Sequence, residues 1–100
     1  MSINTSFIIP HKGREDMLIE TLTSIAGLTT PKEQYEVVLV SQNKEISNTL
    51  SAFIETVNLR VVYNDENNTI SHSRNLGAGL ATGEYLAFLD ADVALASNWL

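Results

Sequence analysis

"YLAFLDADVAL", residues 85–95, sets an apolar run, Tyr85 to Leu89, directly before two carboxylates one residue apart, Asp90 and Asp92. An apolar run bounded in this way reads as a buried β-strand, and the D-x-D at its exit puts both acids at the edge of a core. What the acids meet there depends on which other strands end beside them.

Working backward from that strand, the chain supplies several. "EYLAFL" follows a helical segment, Ser71 to Ala81, in which Leu76 and Leu80 stand four apart and Gly83 makes the break. Before it come the strand "LRVVY" (59–63), the polar loop "NDENNT", and a helix expected over Ser47–Thr56 with Leu50, Phe53, Ile54 and Val57 as its apolar stripe. "YEVVLV" (35–40) shows little alternation and therefore reads as a strand covered on both faces. Met17, Leu18, Leu22 and Ile25 recur at helical spacing with Gly27 as a stop, and "SFIIP" is a first strand ending at Pro10. The order β-α-β-α-β-α-β with short connections predicts an α/β fold: a Rossmann-like, mostly parallel sheet with right-handed crossovers and helices on both faces. Ligands of such sheets sit beyond the carboxyl ends of the strands, near the point where strand order reverses. That rule selects "PHKGR" after the first strand, "SQN" after the second and "DAD" after the fourth.

One hundred residues with 44% apolar content suit a single small domain. A net charge of -6 with six Lys and Arg, unclustered, argues against nucleic-acid binding, because a phosphate backbone is held by grouped cations. The absence of Cys excludes a disulfide framework and zinc-thiolate sites. No apolar run approaches the roughly 20 residues needed to span a bilayer, and the first residues lack the basic and apolar regions of a leader. The expected location is the cytoplasm, or the cytoplasmic face of a membrane for the full-length protein.

Two neighbouring carboxylates repel each other, and a bound cation relieves the repulsion. Mg²⁺ commonly takes one or two carboxylates together with substrate phosphates and water, so the spacing suits a metal-diphosphate clamp. The plainer alternative is that Asp90 and Asp92 end a strand and cap a helix. An apolar strand followed by D-x-D-x-V also resembles the first motif of the haloacid-dehalogenase-like phosphatases, where the first Asp is the nucleophile; Asp90 would take that role. In those enzymes the motif leaves the first strand, and here it leaves the fourth. Gly77, Gly79 and Gly83 stand one residue off the dinucleotide fingerprint and precede a strand instead of following one, so close helix packing explains them better. "HKGR" lacks the spaced glycines of a P-loop.

Taken in order, "SFIIPHKGREDMLIETLTSI", "YEVVLV", "SHSRNLGAGLATGEYLAFLDADV" and "NWL" resemble the nucleotide-sugar-binding half of a family-2 glycosyltransferase of GT-A fold, over nearly the whole chain. The resemblance implies transfer of a sugar from a nucleotide-diphosphate donor, with inversion as the expected outcome, Mn²⁺ or Mg²⁺ as cofactor and a glycan, lipid or protein acceptor left open. It makes Pro10 and His11 the start of the base-binding loop, and it sets Arg14 where the family has a basic residue. Arg74 and Asn75 fall on the Ala-Arg-Asn element, so Arg74 approaches the diphosphate, unless it simply pairs with a surface acid such as Glu84. Asp90 would contact ribose and share the metal, and Asp92 would be its direct ligand. His11 and His72 are left out of the metal set.

Two positions depart from the family. Lys12 stands where an aromatic residue is common, which adds a cation near the phosphates. Ser41 and Gln42 replace the usual acidic pair after the second strand, and Gln42 can accept from a base N–H only through its amide oxygen, a weaker partner than a carboxylate. The choice of base stays open, as does a third reading, a non-catalytic nucleotide-binding or assembly domain. Residues 1–100 are expected to be a donor-binding part cut before the segment that supplies the catalytic base, with an apolar edge left exposed.

Overall fold

The computed structural model describes residues 3–90 and Leu95. Its parallel sheet has the order β3-β2-β1-β4, built from β1 (Thr5–His11), β2 (Tyr35–Ser41), β3 (Leu59–Tyr63) and β4 (Tyr85–Phe88). Between them lie α1 (Asp16–Ala26), a 3-10 turn (Lys32–Gln34), the short α2 (Asn48–Ser51) and α3 (Phe53–Thr56), and α4 (Ile70–Leu80). The chain moves outward from β1 to β3 and then returns across β1 to lay down β4. Parallel crossovers are right-handed as a rule, and that reversal accordingly puts α1, α2 and α3 on one face and α4 on the other. The expected architecture is the one observed.

The strands sort their side chains between these layers by simple alternation. Phe7, Ile9, Val37 and Leu39 pack with Leu18, Leu22 and Ile25 of α1, together with Leu50 and Val57. Ile8, Val38 and Val40 form a smaller cluster with Leu76 of α4. Each such side chain, removed from water, contributes about 1.5–3 kcal/mol, so the double-faced burial of β1 and β2 is the main source of stability.

Several boundaries differ from expectation. β1 runs one residue past Pro10. Gln42 N–H donates to His11 O and Leu89 N–H to Ile8 O, so odd-numbered residues of β1 bond to β2 and even-numbered ones to β4. The N–H that Pro10 lacks would face the β4 side, beyond the last β1–β4 pair at Ile8 and Phe88. The expected helix over 47–56 divides at Ala52; Ser47 Oγ caps α2 by accepting from Leu50 N–H, and Ile54 is exposed, because the buried stripe follows Leu50, Phe53 and Val57. Met17 is likewise exposed, and Thr21 takes the buried place on α1 beside Leu18 and Leu22. Thr69 Oγ1 accepts from His72 N–H and starts α4 one residue earlier than expected. β4 pairs with β1 alone among the described strands, which leaves Tyr85, Leu86 and Phe88 at 67%, 44% and 50% exposure. No helix among the described residues is long and apolar enough to cross a membrane.

Of the three glycines assigned to close packing, Gly77 fits directly. A Cβ there would meet Ile8 Cγ2 at 2.6 Å and Val40 Cγ2 at 3.0 Å, both on wholly buried side chains. Gly83 lies beyond α4 and would press on Ser6, whereas Gly79 faces open space. Gly77→Ala should therefore destabilise by about 1–2 kcal/mol, overpacking outweighing the gain in helix propensity. Gly79→Ala should stabilise slightly, since only the propensity changes. Urea unfolding of the two variants side by side tests this; equal effects would mean that α4 does not seat on Ile8.

Candidate functional site

The order of the strands reverses between β1 and β4, and a crevice of about 240 Å³ opens beyond their carboxyl ends. Pro10, His11, Lys12, Gln42, Ile70 and Asp90 line it. Sequence reasoning placed Pro10, His11, Lys12, Gln42 and Asp90 in one site, and the fold gathers them by ending β1, β2 and β4 side by side. Arg74 joins through an ion pair, its Nη2 standing 3.4 Å from Asp90 Oδ1. Glu84 is not its partner. Arg14 lies apart, in a separate cavity with Asp16 and Met17. There its guanidinium donates to Asp16 at 2.5 Å and holds that carboxyl below its usual value. Asp92 lies outside the described residues.

Local chemistry shapes the rim. Gly13 has φ +95°, a left-handed turn that glycine adopts without strain. The turn is held from the next strand: Asn43 Oδ1 accepts from Gly13 N–H at 2.8 Å, and Asn43 Nδ2 donates to Gly13 O at 2.7 Å. His11 is buried, with Nε2 at 2.6 Å from Arg14 O. A carbonyl can only accept, so Nε2 carries the proton. His72 Nδ1 meets Asn64 Nδ2 at 3.1 Å. Lys12 Nζ donates to Glu66 O at 2.7 Å and so reaches from the β1 loop to the β3–α4 loop.

A second cavity of about 300 Å³ adjoins the first across Gln42 and is bounded by residues 42–44 and 63–67. Another, of about 340 Å³, lies at the opposite end of the sheet among Lys32, Glu33, Ile54, Glu55 and Asn58. It is remote from every strand's carboxyl end, and Lys32 there already donates to Glu55 O.

The crevice thus has Lys12 on its lining and Arg74 paired with the carboxylate of Asp90, whose side chain is 69% exposed. Such a mouth suits an anionic group that also carries hydroxyls or a hard cation. Among the described residues no cluster of three or more His, Asp or Glu forms a ready metal cage. Asp90 nevertheless fits an ion that arrives with a diphosphate: it is an accessible oxygen donor, and Arg74 is its one side-chain hydrogen-bond partner among the described residues. Sequence reasoning missed Ile70 and gave Asn43, though it lies in the selected "SQN", no role. The Asn that follows "SQ" was a legible loop signal; Ile70 was hidden because its apolar side chain carries no chemistry of its own.

Residues 6–100 match the family described as glycosyl transferase family 2. The chain is 32% identical over 100 residues to glycosyltransferase AglE of Haloferax volcanii, covering 95% of this chain and 32% of AglE. Among solved structures it is similar to TarS of S. aureus, with a TM-score of 0.85 and 25% identity over 95% of this chain and 29% of that one. TarS in complex with UDP-GlcNAc gives a TM-score of 0.80 and 28% identity, over 95% of this chain and 28% of that one. The chain spans about a third of the length of these proteins. Neither the family match nor the exit of Asp90 from β4 favours the phosphohydrolase reading. With the sheet order, the switch-point crevice and the ordered motifs all in agreement, this chain belongs to glycosyl transferase family 2.

Proposed function

We propose that this chain binds the nucleotide-diphosphate donor of a glycosyltransferase that moves a sugar to an acceptor with inversion at the anomeric carbon. The observation that supports the reading best is the meeting of Arg74 and Asp90, 3.4 Å apart, at the crevice where β1 and β4 end. In the reaction the bond from the anomeric carbon to the phosphate oxygen breaks, and a bond to the acceptor oxygen forms. The acceptor's proton passes to a general base, a role assigned to none of the residues lining this crevice. Arg74 and Lys12 receive the negative charge that grows on the departing diphosphate, which is where fixed positive charge lowers the barrier. Pro10 and His11 border the base and ribose; Arg14, paired with Asp16 away from the crevice, takes no part. Asp90, with Asp92, would hold a divalent ion, Mn²⁺ or Mg²⁺, and such an ion supplies Lewis-acid stabilisation of the leaving group.

Titration of UDP and GDP with and without Mn²⁺ tests the reading. Affinity should rise about tenfold or more with the metal, and Asp90→Asn should abolish that increment while leaving metal-free affinity little changed. Nucleotide binding indifferent to both metal and substitution would favour a non-catalytic nucleotide-binding domain instead.

A further inference from the structure

Gln42 occupies the place after β2 where the family's acidic pair is expected to meet the base, yet its amide is engaged within the protein. Nε2 donates to Asp65 O at 2.9 Å and to Asn68 O at 2.7 Å, which uses both of its hydrogens. Those carbonyls can only accept, so they also fix which end of the amide is nitrogen. Oε1 accepts from Ser73 Oγ at 3.3 Å, and Ser73 lies on the buried face of α4. Gln42 itself is 4% exposed and stands as the wall between the two cavities at the carboxyl edge.

The same contacts define the loop over 64–69. Its carbonyls at Asp65, Glu66 and Asn68 turn inward to donors on the β1 and β2 loops: Gln42 takes the first and third, Lys12 the second. Asn64 closes the ring by donating to Ser73 Oγ at 3.0 Å. A carboxylate at position 42 has no hydrogen to offer Asp65 O or Asn68 O and would stand against two carbonyl oxygens.

We propose that Gln42 is a positioning residue that clasps loop 64–69 against the wall between the two cavities and does not discriminate among bases. This rests on the nucleotide-binding reading above for its second half only. The clasp is tested without ligand by hydrogen exchange: Gln42→Met, which keeps the shape, should speed exchange in residues 65–69 about tenfold and leave β1 and α1 unchanged. UDP, CDP and GDP then test selectivity, because uracil N3 and guanine N1 carry a hydrogen and cytosine N3 does not. Gln42→Met and Gln42→Glu should both weaken all three nucleotides by a common factor, about tenfold, at a temperature where circular dichroism shows the variants folded. The ratios among the three should hold within about twofold. A Gln42→Glu variant that binds UDP more tightly, or shifts the UDP:CDP ratio fivefold, would overturn the proposal, and so would unaltered exchange in the loop. Should neither variant fold, Ser73→Ala, which removes the donor to Oε1, is expected to give the same uniform loss at about threefold. Failure of the unmodified chain to bind any nucleotide would sink the donor-binding reading, and the exchange result alone would then decide the clasp.

Discussion

Replacing Glu36 with alanine is expected to lower stability by about 3 kcal/mol, although Glu36 lies at the end of the sheet away from the crevice. Its Oε2 accepts from Ser6 Oγ at 2.6 Å, from Thr82 N–H at 2.6 Å and from Thr82 Oγ1 at 3.0 Å. Arg60 approaches Oε1 at 3.5 Å and also donates to Leu80 O. Ser6 Oγ in turn accepts from Gly83 N–H at 2.8 Å. One carboxylate thus joins β1, β2, β3 and the turn that leads from α4 into β4. Alanine would leave the buried Ser6 hydroxyl and the partly buried Thr82 N–H without their acceptor, and the loss of such a partner costs more than the bond itself was worth.

The same site sets a pH dependence. Burial alone would push the Glu36 carboxyl up, but the donors from Ser6 and Thr82, with Arg60, outweigh it and hold the native carboxyl below its ordinary value of 4.5. Its contribution is therefore complete above that value and is lost as pH falls through the lower native one. Urea unfolding of the native chain and of Glu36→Gln should differ most at neutral pH and converge in acid. A gap that persists unchanged well below pH 4.5 would show that the charge on Glu36 is not what the latch uses.

Glu36 also marks what the sequence could and could not disclose. The sheet was legible because alternation, apolar runs and turn residues are local signals; the strand order, and with it the switch point, was not, because crossover handedness sets the face on which a helix lies and not the edge that the next strand joins. A Glu inside "YEVVLV" gave no sign of its role, since its partners come from positions 6, 60 and 82, and nothing local brings those together. Arg74 and Asp90 were legible as a pair of motif positions; their contact depended on α4 packing over β1 and β2. Gln42 was visible as a departure, but which way its amide pointed rested on the loop after the neighbouring strand. Division of the expected helix at Ala52 was not legible either, because the apolar stripe continues across the break.

Arg74→Met, made in the intact protein, is expected to slow sugar transfer by about 100- to 1,000-fold while changing stability by less than about 1 kcal/mol. The second figure follows from exposure: the side chains of Arg74 and Asp90 are 42% and 69% accessible, and so open an ion pair adds little to folding. The first follows from where the charge appears. A donor already carries negative diphosphate oxygens when it binds, and any nearby cation would attract them equally before and during reaction. As the glycosidic bond breaks, further charge collects on the departing phosphate oxygen, so a cation fixed beside it stabilises the transition state more than the bound donor. The rate constant for turnover should therefore fall further than KM rises. Arg74→Lys should recover part of the rate, since it keeps the charge and loses the planar fork, leaving a deficit of about tenfold. If Arg74→Met raised KM alone, with turnover intact, Arg74 would be a binding contact and the pairing with Asp90 would have no part in the chemical step.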